Sequence, residues 1–436
     1  MGGREKGGVT TEKSCSQQCL GVQYRHSLLL LMEASFMQNW QRNLYVIWVA
    51  EALAIVGFSV VFPFLPYYVQ ELGATSLEEA EMWSGILFAS HAVLMGIFAP
   101  IWGSLADRYG RKLMVERAMF GGAVLLTAMG FVRNVPQLLF LRALQGCITG
   151  TVAAATTLVA SGTPRERVGY ALGLLQMAMY GGASAGPLLG GLVADVFGYR
   201  AAFYVTGALL LVAGLLVLFL VEEQSDPPAK EKGAGLGGLW RGLVLVMRSR
   251  ALLAIFGVRV IMRLGARIVG PVLPLFIQTL LPVGARVASV SGLISGVSAI
   301  ASAIAAVVLG RFGDRIGYRR VLLVCAVGAS LFYTPQFFVT TSAQLLVLQV
   351  GVGLAMGGTL ATVSAMLAAL APAGRQGAVY GVDASMVSAA NAIGPMLGAS
   401  LAASLGLRSV FLCAAGVFGL AAMGVAWLVP RRARPR

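Results

Sequence analysis

Twelve long apolar runs constrain what this chain can become. They lie at about residues 44–69, 83–105, 114–133, 136–161, 168–193, 200–221, 253–281, 288–311, 320–340, 343–371, 376–403 and 407–429. Each is long enough to cross ~30 Å of hydrocarbon as a helix, with some tilt. Lipid offers the backbone no hydrogen bonds, so only helices and closed barrels span it. Barrel strands alternate apolar and polar residues in segments of about ten, and these runs do not alternate. The chain therefore reads as an all-α membrane protein with twelve transmembrane helices. Its composition agrees, at 58% hydrophobic and 12% charged, against about a quarter charged in soluble domains.

The net charge of +15 would point to nucleic acid in a soluble chain. The positions of the charges exclude that partner. Of the 33 Lys and Arg residues, 25 fall in the tails and in the loops on one side. The other side holds Arg133, Arg200, Arg286 and Arg408. Basic residues stay on the cytoplasmic side, so both termini are expected there, in a multi-pass protein of a bacterial inner membrane. The expected layout is a cytoplasmic tail (1–43), a six-helix bundle (44–221), a cytoplasmic linker (222–252), a second bundle (253–430) and a basic tail (431–436). The first tail reads as poorly ordered. Met37 opens "MQNWQRNLYVIW", a natural entry to the first span and an alternative start. In the linker, "LWRGLVLVMRSR" is amphipathic and is expected along the inner membrane surface. Cys147, Cys325 and Cys413 lie in apolar runs as small hydrophobes. Cys15 and Cys19 have no histidine or second cysteine pair nearby, so no metal site is expected.

The chain repeats itself. "PFLPYYVQEL" starts at Pro63 and "PVLPLFIQTL" at Pro271, an offset of 208. "GPLLG" at Gly186 and "GPMLG" at Gly394 share that offset. The charged phrases "GSLADRYGRK" and "GRFGDRIGYRR" place Asp107 and Asp314 207 apart. Tyr318, an extra residue in the second phrase, restores 208. Six spans separate the copies, so the halves have the same orientation. This is a parallel repeat about an axis along the membrane normal, with a substrate site expected near the midplane between the halves.

These residues resemble the major facilitator superfamily. Gly103, Asp107, Arg108, Gly110, Arg111 and Lys112 fit its signature loop. "RALQG", with Arg142, Gln145 and Gly146, is similar to its fourth-helix motif. Gly173, Gly182, Gly186, Pro187, Gly190 and Gly191 match the spacing of its fifth-helix antiporter motif. The likeness covers about Asn39 to Pro430 and is strongest to bacterial drug:proton antiporter-1 exporters. It implies the two-bundle fold, export of small amphipathic toxic compounds, protons as the second partner, and a gate at the signature loop that engages in one conformation and releases in the other. The second copy adds Asp314 and Arg315 to that gate.

Physical chemistry gives these motifs content. Glycines allow sharp turns and close helix approach. Asp107 can accept from a helix N-terminus or from arginines. Gly182, Gly186 and Gly190 share one helix face and permit tight packing, while Pro187 loosens the helix. A topology signal alone would explain the basic loop, and packing alone would explain the glycines.

Charges within spans are costly and must face water or a partner. Glu51 and Asp383 are proton-carrier candidates, since burial favours the neutral form of a carboxyl group. A fixed ion pair or a helix-to-helix hydrogen bond is the alternative for each. In the resembling family, the fourth-helix arginine, here Arg142, is linked to proton transfer; it can equally satisfy backbone carbonyls. Arg259, Arg263 and Arg267 form one stripe at four-residue spacing, and Asn391 extends the polar face of Asp383. With His91 and Gln145 these are the candidate lining of the substrate cavity, which would be net positive and accept anionic or zwitterionic compounds. Snorkelling to the inner surface is the alternative for Arg259 and Arg263, and an interhelical hydrogen bond is the alternative for His91.

The reading is a secondary transporter exporting drugs against proton entry, working as a monomer without a cofactor and driven by the proton gradient. A proton-coupled metabolite or sugar symporter of the same fold is the rival. Enzyme chemistry has no support, as no His/Asp/Glu cluster, nucleophile elbow or phosphate loop is present. A channel or receptor is a further alternative; channel-like currents without concentration coupling would favour it, whereas the rocking repeat predicts none.

Overall fold

The computed structural model describes residues 40–164, 167–223, 247, 249–370 and 376–428. The side chains of Asp107 and Asp314, and those at 250, 368–369, 376–378 and 380–381, lie outside that description. Residues 1–39, 165–166, 224–246, 248, 371–375 and 429–436, which include most of both tails and of the linker's amphipathic stretch, also lie outside it.

The first half comprises α1 (Trp40–Val60), α2 (Leu65–Glu71), α3 (Leu77–Tyr109), α4 (Arg111–Met129), α5 (Val135–Ile148), α6 (Thr151–Gly162), α7 (Val168–Phe197) and α8 (Tyr199–Leu220). The second comprises α9 (Arg250–Ile268), α10 (Val272–Thr279), α11 (Val287–Ile316), α12 (Tyr318–Tyr333), α13 (Ser342–Leu370), α14 (Gln376–Leu405) and α15 (Leu407–Leu428). Among the described residues nine helices are long and apolar enough to cross a membrane. Three further expected spans, α4, α7 and α9, are helical but less apolar. Charges open α4, glycines fill α7, and arginines stripe α9.

Both halves break their first span at the same place. α1 stops at Val60 and α2 resumes at Leu65, around Pro63; α9 stops at Ile268 and α10 resumes at Val272, around Pro271. Proline lacks the N–H and clashes with the preceding turn, so a helix restarts there rather than continues. The fourth span also breaks, at Thr149 and Gly150, where Gly150 has φ +141°. Its counterpart α13 stays continuous through Gly357 and Gly358.

The turn glycines repeat too. Gly110 and Gly317 have φ of +99° and +95°, a region that L side chains rarely occupy. Tyr318 opens α12, and its ring lies over Gly313, where a Cβ would come within 2.6 Å of it. The extra residue is thus absorbed at a helix start without disturbing either helix.

Two buried clusters hold the halves together internally. Between the halves, α3 packs on α14 and α7 packs on α11. These seams are equivalents under the repeat. Within the first half α7 presses its glycines on α1. A Cβ at Gly182 would lie 2.9 Å from Ile55 Cβ, one at Gly186 2.6 Å from the Val56 carbonyl oxygen, and one at Gly190 2.8 Å from Val60 Cα. α7 runs through Pro187 unbroken. Gly173 faces open space, so it takes no part in this packing.

Replacing Gly190 with Leu should force α7 off α1. Overpacking costs about 1–3 kcal/mol, read as a lower unfolding midpoint of the purified protein in detergent. Gly173→Leu should leave that midpoint unchanged.

Candidate functional site

The signature loop is built by three helix ends. Gly110 caps α4, and the N–H groups of Arg111 and Lys112 donate to Glu223 Oε1 and Oε2 at 2.7 and 3.0 Å. A carboxylate at a helix N-terminus satisfies orphan donors and complements the dipole. A Cβ at Gly110 would fall 2.8 Å from Glu223 Oε2, so the glycine serves both the turn and the cap. Lys112 Nζ donates to the Leu218 carbonyl at 2.9 Å. In the second half Arg319 donates to the carbonyls of Val425 and Ala426, so each half ties its charged loop to its last helix. Glu222 adds a link to α1, pairing with Arg42 at 2.7 Å while its backbone exchanges hydrogen bonds with Asn43. Nearby, Arg117 stacks 3.5 Å from the Trp102 ring centroid. Sequence reasoning missed Glu222 and Glu223. They stand beside a basic loop in a chain with only 18 acids, which was the available signal. Arg108 lies over Tyr109, 5.3 Å from the ring centroid. The expected roles of Asp107 and Asp314 fall on side chains outside the description. Arg315 sits in the last turn of α11, and Gly103 faces open space.

The intramembrane charges sort into separate groups. Arg259 Nε lies 2.6 Å from Asp383 Oδ1, an ion pair off the hydrogen-bonding axis. Arg259 is therefore paired within the fold rather than snorkelling. One turn and two turns further along α9, Arg263 Nε and Arg267 Nε both donate to Asn391 Oδ1, at 3.1 and 2.8 Å. The whole predicted stripe thus faces α14. Neither Arg263 nor Arg267 has a carboxylate within ion-pair distance among the described residues.

In the first half Arg142 is buried and donates to Gln145 Oε1 at 2.7 Å, with the Phe88 ring 5.9 Å away. His91 lies beside it, and its backbone packs on Gly146, where a Cβ would come within 2.5 Å of the His91 carbonyl. Glu51 stands apart from both groups. It is fully buried, faces Thr151 at the start of α6, and leaves both carboxyl oxygens without a hydrogen-bond partner.

At the Gln70 end the halves are sealed together. Gln70 and Gln278, 208 apart, exchange amide hydrogen bonds at 3.0 and 3.1 Å. Tyr67 Oη donates to the Pro274 carbonyl and meets Ser291 Oγ at 2.7 Å. At the Gly110 end the glycines at 103, 162, 169, 173 and 257 meet nothing within 4 Å of a built Cβ. The halves are pressed together at the Gln70 end.

Glu223→Gln should weaken the α4 cap by about 0.5–2 kcal/mol. Hydrogen exchange of the Arg111 and Lys112 amides should then quicken by about twofold to thirtyfold.

The model of the Major Facilitator Superfamily matches residues 47–283 and 255–436. Multidrug resistance protein MdtG of Klebsiella pneumoniae (strain 342) is 37% identical over 379 residues, covering 87% of this chain and 91% of that protein. The MdtG of Citrobacter koseri is 37% identical over 380 residues, covering 87% and 93%. Among solved structures, nucleoside transporter NupG superposes with a TM-score of 0.69 at 14% identity, covering 89% of this chain and 99% of NupG. The human organic anion transporter MFSD10 gives 0.65 at 18%, covering 88% and 99%. A bacterial homologue of the human lysosomal transporter Spinster, solved inward-facing and unoccupied, gives 0.71 at 15%, covering 89% and 96%. With the repeat, the paired seams and the signature loop in place, the chain belongs to the major facilitator superfamily.

Proposed function

We propose that this protein is a secondary active exporter of small amphipathic toxic compounds, exchanging them for protons by alternating access. The observation that carries the reading is the seal between the halves at Gln70 and Gln278, in a chain 37% identical to multidrug resistance proteins. The basic loops place the Gly110 end and both termini on the cytoplasmic side of the inner membrane. The described conformation is then closed on the opposite, periplasmic side. No cofactor is needed, because the proton gradient supplies the drive, and one chain carries both halves of the machine.

The acids divide the work. Asp383 is paired with Arg259. Glu51 has no cation at ion-pair distance among the described residues, so it is the acid that binds and releases the coupling proton. Ionised, it would find the Thr151 hydroxyl at the start of α6. Arg142, with Gln145 and His91, sets the local field in the first half. Arg263 and Arg267 supply positive charge without a compensating acid, which supports a preference for anionic or zwitterionic compounds over purely cationic ones.

Proteoliposomes with an imposed pH difference test the scheme. Drug uptake into inside-acidic vesicles should consume the gradient, with drug and protons moving in opposite directions. Movement in the same direction would instead favour the metabolite symporter. Glu51→Gln should abolish gradient-driven uptake while drug binding persists; undiminished coupling in that variant would remove Glu51 from the mechanism. Arg267→Gln should raise the KM for anionic drugs about tenfold or more, as expected for losing a charge-assisted contact, and leave cationic drugs unaffected.

A further inference from the structure

The α7–α11 seam carries a carboxylate that the scheme above does not use. Asp195, near the end of α7, accepts from two backbone N–H groups of the opposite half. Ala288 N donates to Oδ1 at 3.2 Å and Ser289 N donates to Oδ2 at 2.6 Å. Ser289 Oγ adds a bond to the Gly191 carbonyl at 3.3 Å. Those amides belong to the first turn of α11, whose donors have no partner within their own helix. α11 has no cap of its own, since Arg286 stands at the N-cap position without a side-chain hydrogen bond.

The pseudo-equivalent seam is built differently. There α3 meets α14, and α3 caps itself: Ser76 Oγ accepts from Glu79 N at 3.1 Å while Glu79 Oε2 accepts from Thr75 N at 3.0 Å. The position 208 residues after Asp195 is Ala403, which has nothing to offer. Parting the halves at the Gln70 end therefore leaves α3 capped and strips α11 of the cap that Asp195 provides. The cost of opening is concentrated at α7, the helix that carries the antiporter glycines. Gly191 and Gly292 make the approach close enough. A Cβ on Gly191 would meet the Ala288 carbonyl, and one on Gly292 would meet that of Pro187.

We propose that Asp195 is the latch of the Gln70 end, a positioning residue that holds this end shut by capping α11 across the seam and must let go each time it opens. It is the counterpart, at the opposite end, of a signature-loop carboxylate engaging a helix terminus. The charge favours the closed state through the helix dipole and two charge-assisted hydrogen bonds. The inference rests on the halves rocking as proposed above, but not on which side of the membrane the Gln70 end faces.

The test uses the full-length protein with its natural cysteines replaced. Spin labels at Arg133→Cys and Val283→Cys report opening at the Gln70 end. Labels at Tyr109→Cys and Ile316→Cys report the other end. Asp195→Asn should raise the ratio of open to closed Gln70-end populations about tenfold, and Asp195→Glu should keep most of the closure. The decisive variant is Asp195→Asn with Arg286→Ser, which gives α11 a cap of its own. It should recover the melting temperature lost in Asp195→Asn yet remain open. A latch is overturned if Asp195→Asn leaves the distances at wild-type values, or if the added serine restores closure along with stability. Failure of the rocking scheme looks different, because then neither label pair responds to drug or to pH in any variant.

Discussion

Close backbone contact at glycine is the constraint on which the rest of this structure hangs. In lipid there is no hydrophobic force to press helices together, so association depends on packing and on small residues that let backbones meet. Gly186 and Gly190 bring α7 onto α1, and their repeat counterparts Gly394 and Gly398 bring α14 onto α9, at Arg267 and Ile268. The second contact also places chemistry. It sets α9 so near α14 that Arg263 and Arg267 reach one oxygen of Asn391 and Arg259 reaches Asp383. A polar stripe that would be costly in hydrocarbon is thereby given partners. The same helix α7 turns Gly191 toward the other half, so a single glycine-rich helix serves both the bundle's interior and the seam.

Charge follows the same economy. Apart from Lys112–Glu116 within α4, the ion pairs and charged caps described here close a helix end or join neighbouring helices. Glu223 caps α4, Arg319 ends α15, Glu222 ties α8 to α1, and Asp383 holds Arg259. Glu51 is a buried carboxyl with no cation at ion-pair distance among the described residues and with both oxygens lacking a hydrogen-bond partner, whereas Glu81, near the start of α3, leaves one such oxygen. A carboxyl left wholly unsatisfied inside a span is where a moving proton has something to do.

Much of this was legible beforehand because the repeat is written into the residues. Apolar runs gave the helices, and the 208-residue offset gave the two-bundle plan. The equal phrases around Pro63 and Pro271 marked the paired breaks. The arginine stripe was visible from four-residue spacing, though its partners were not, since spacing places residues on a face and says nothing of the facing helix. Gln70 and Gln278 occupy the same place in the two quoted phrases, yet their pairing needs the halves to be closed at that end, a property of conformation rather than of pattern. Glu223 and Asp195 escaped notice for a related reason. Each acts on a helix end far away in sequence, and a lone acid after a span resembles an ordinary interfacial charge. The break at Gly150 could not be told from Gly357 and Gly358, which stay helical and lie close against Ser302 and Cys325, because a glycine permits either conformation and its neighbours are not written in the local sequence.

The central claim is that export requires the Gln70 end to open and close. Gln70→Cys and Gln278→Cys, in a protein without its natural cysteines, allow that end to be bridged by a short, reducible bifunctional reagent. Drug transport in proteoliposomes should stop when the bridge forms and return when it is reduced. Transport that continues at full rate with the bridge intact would contradict alternating access through this seam.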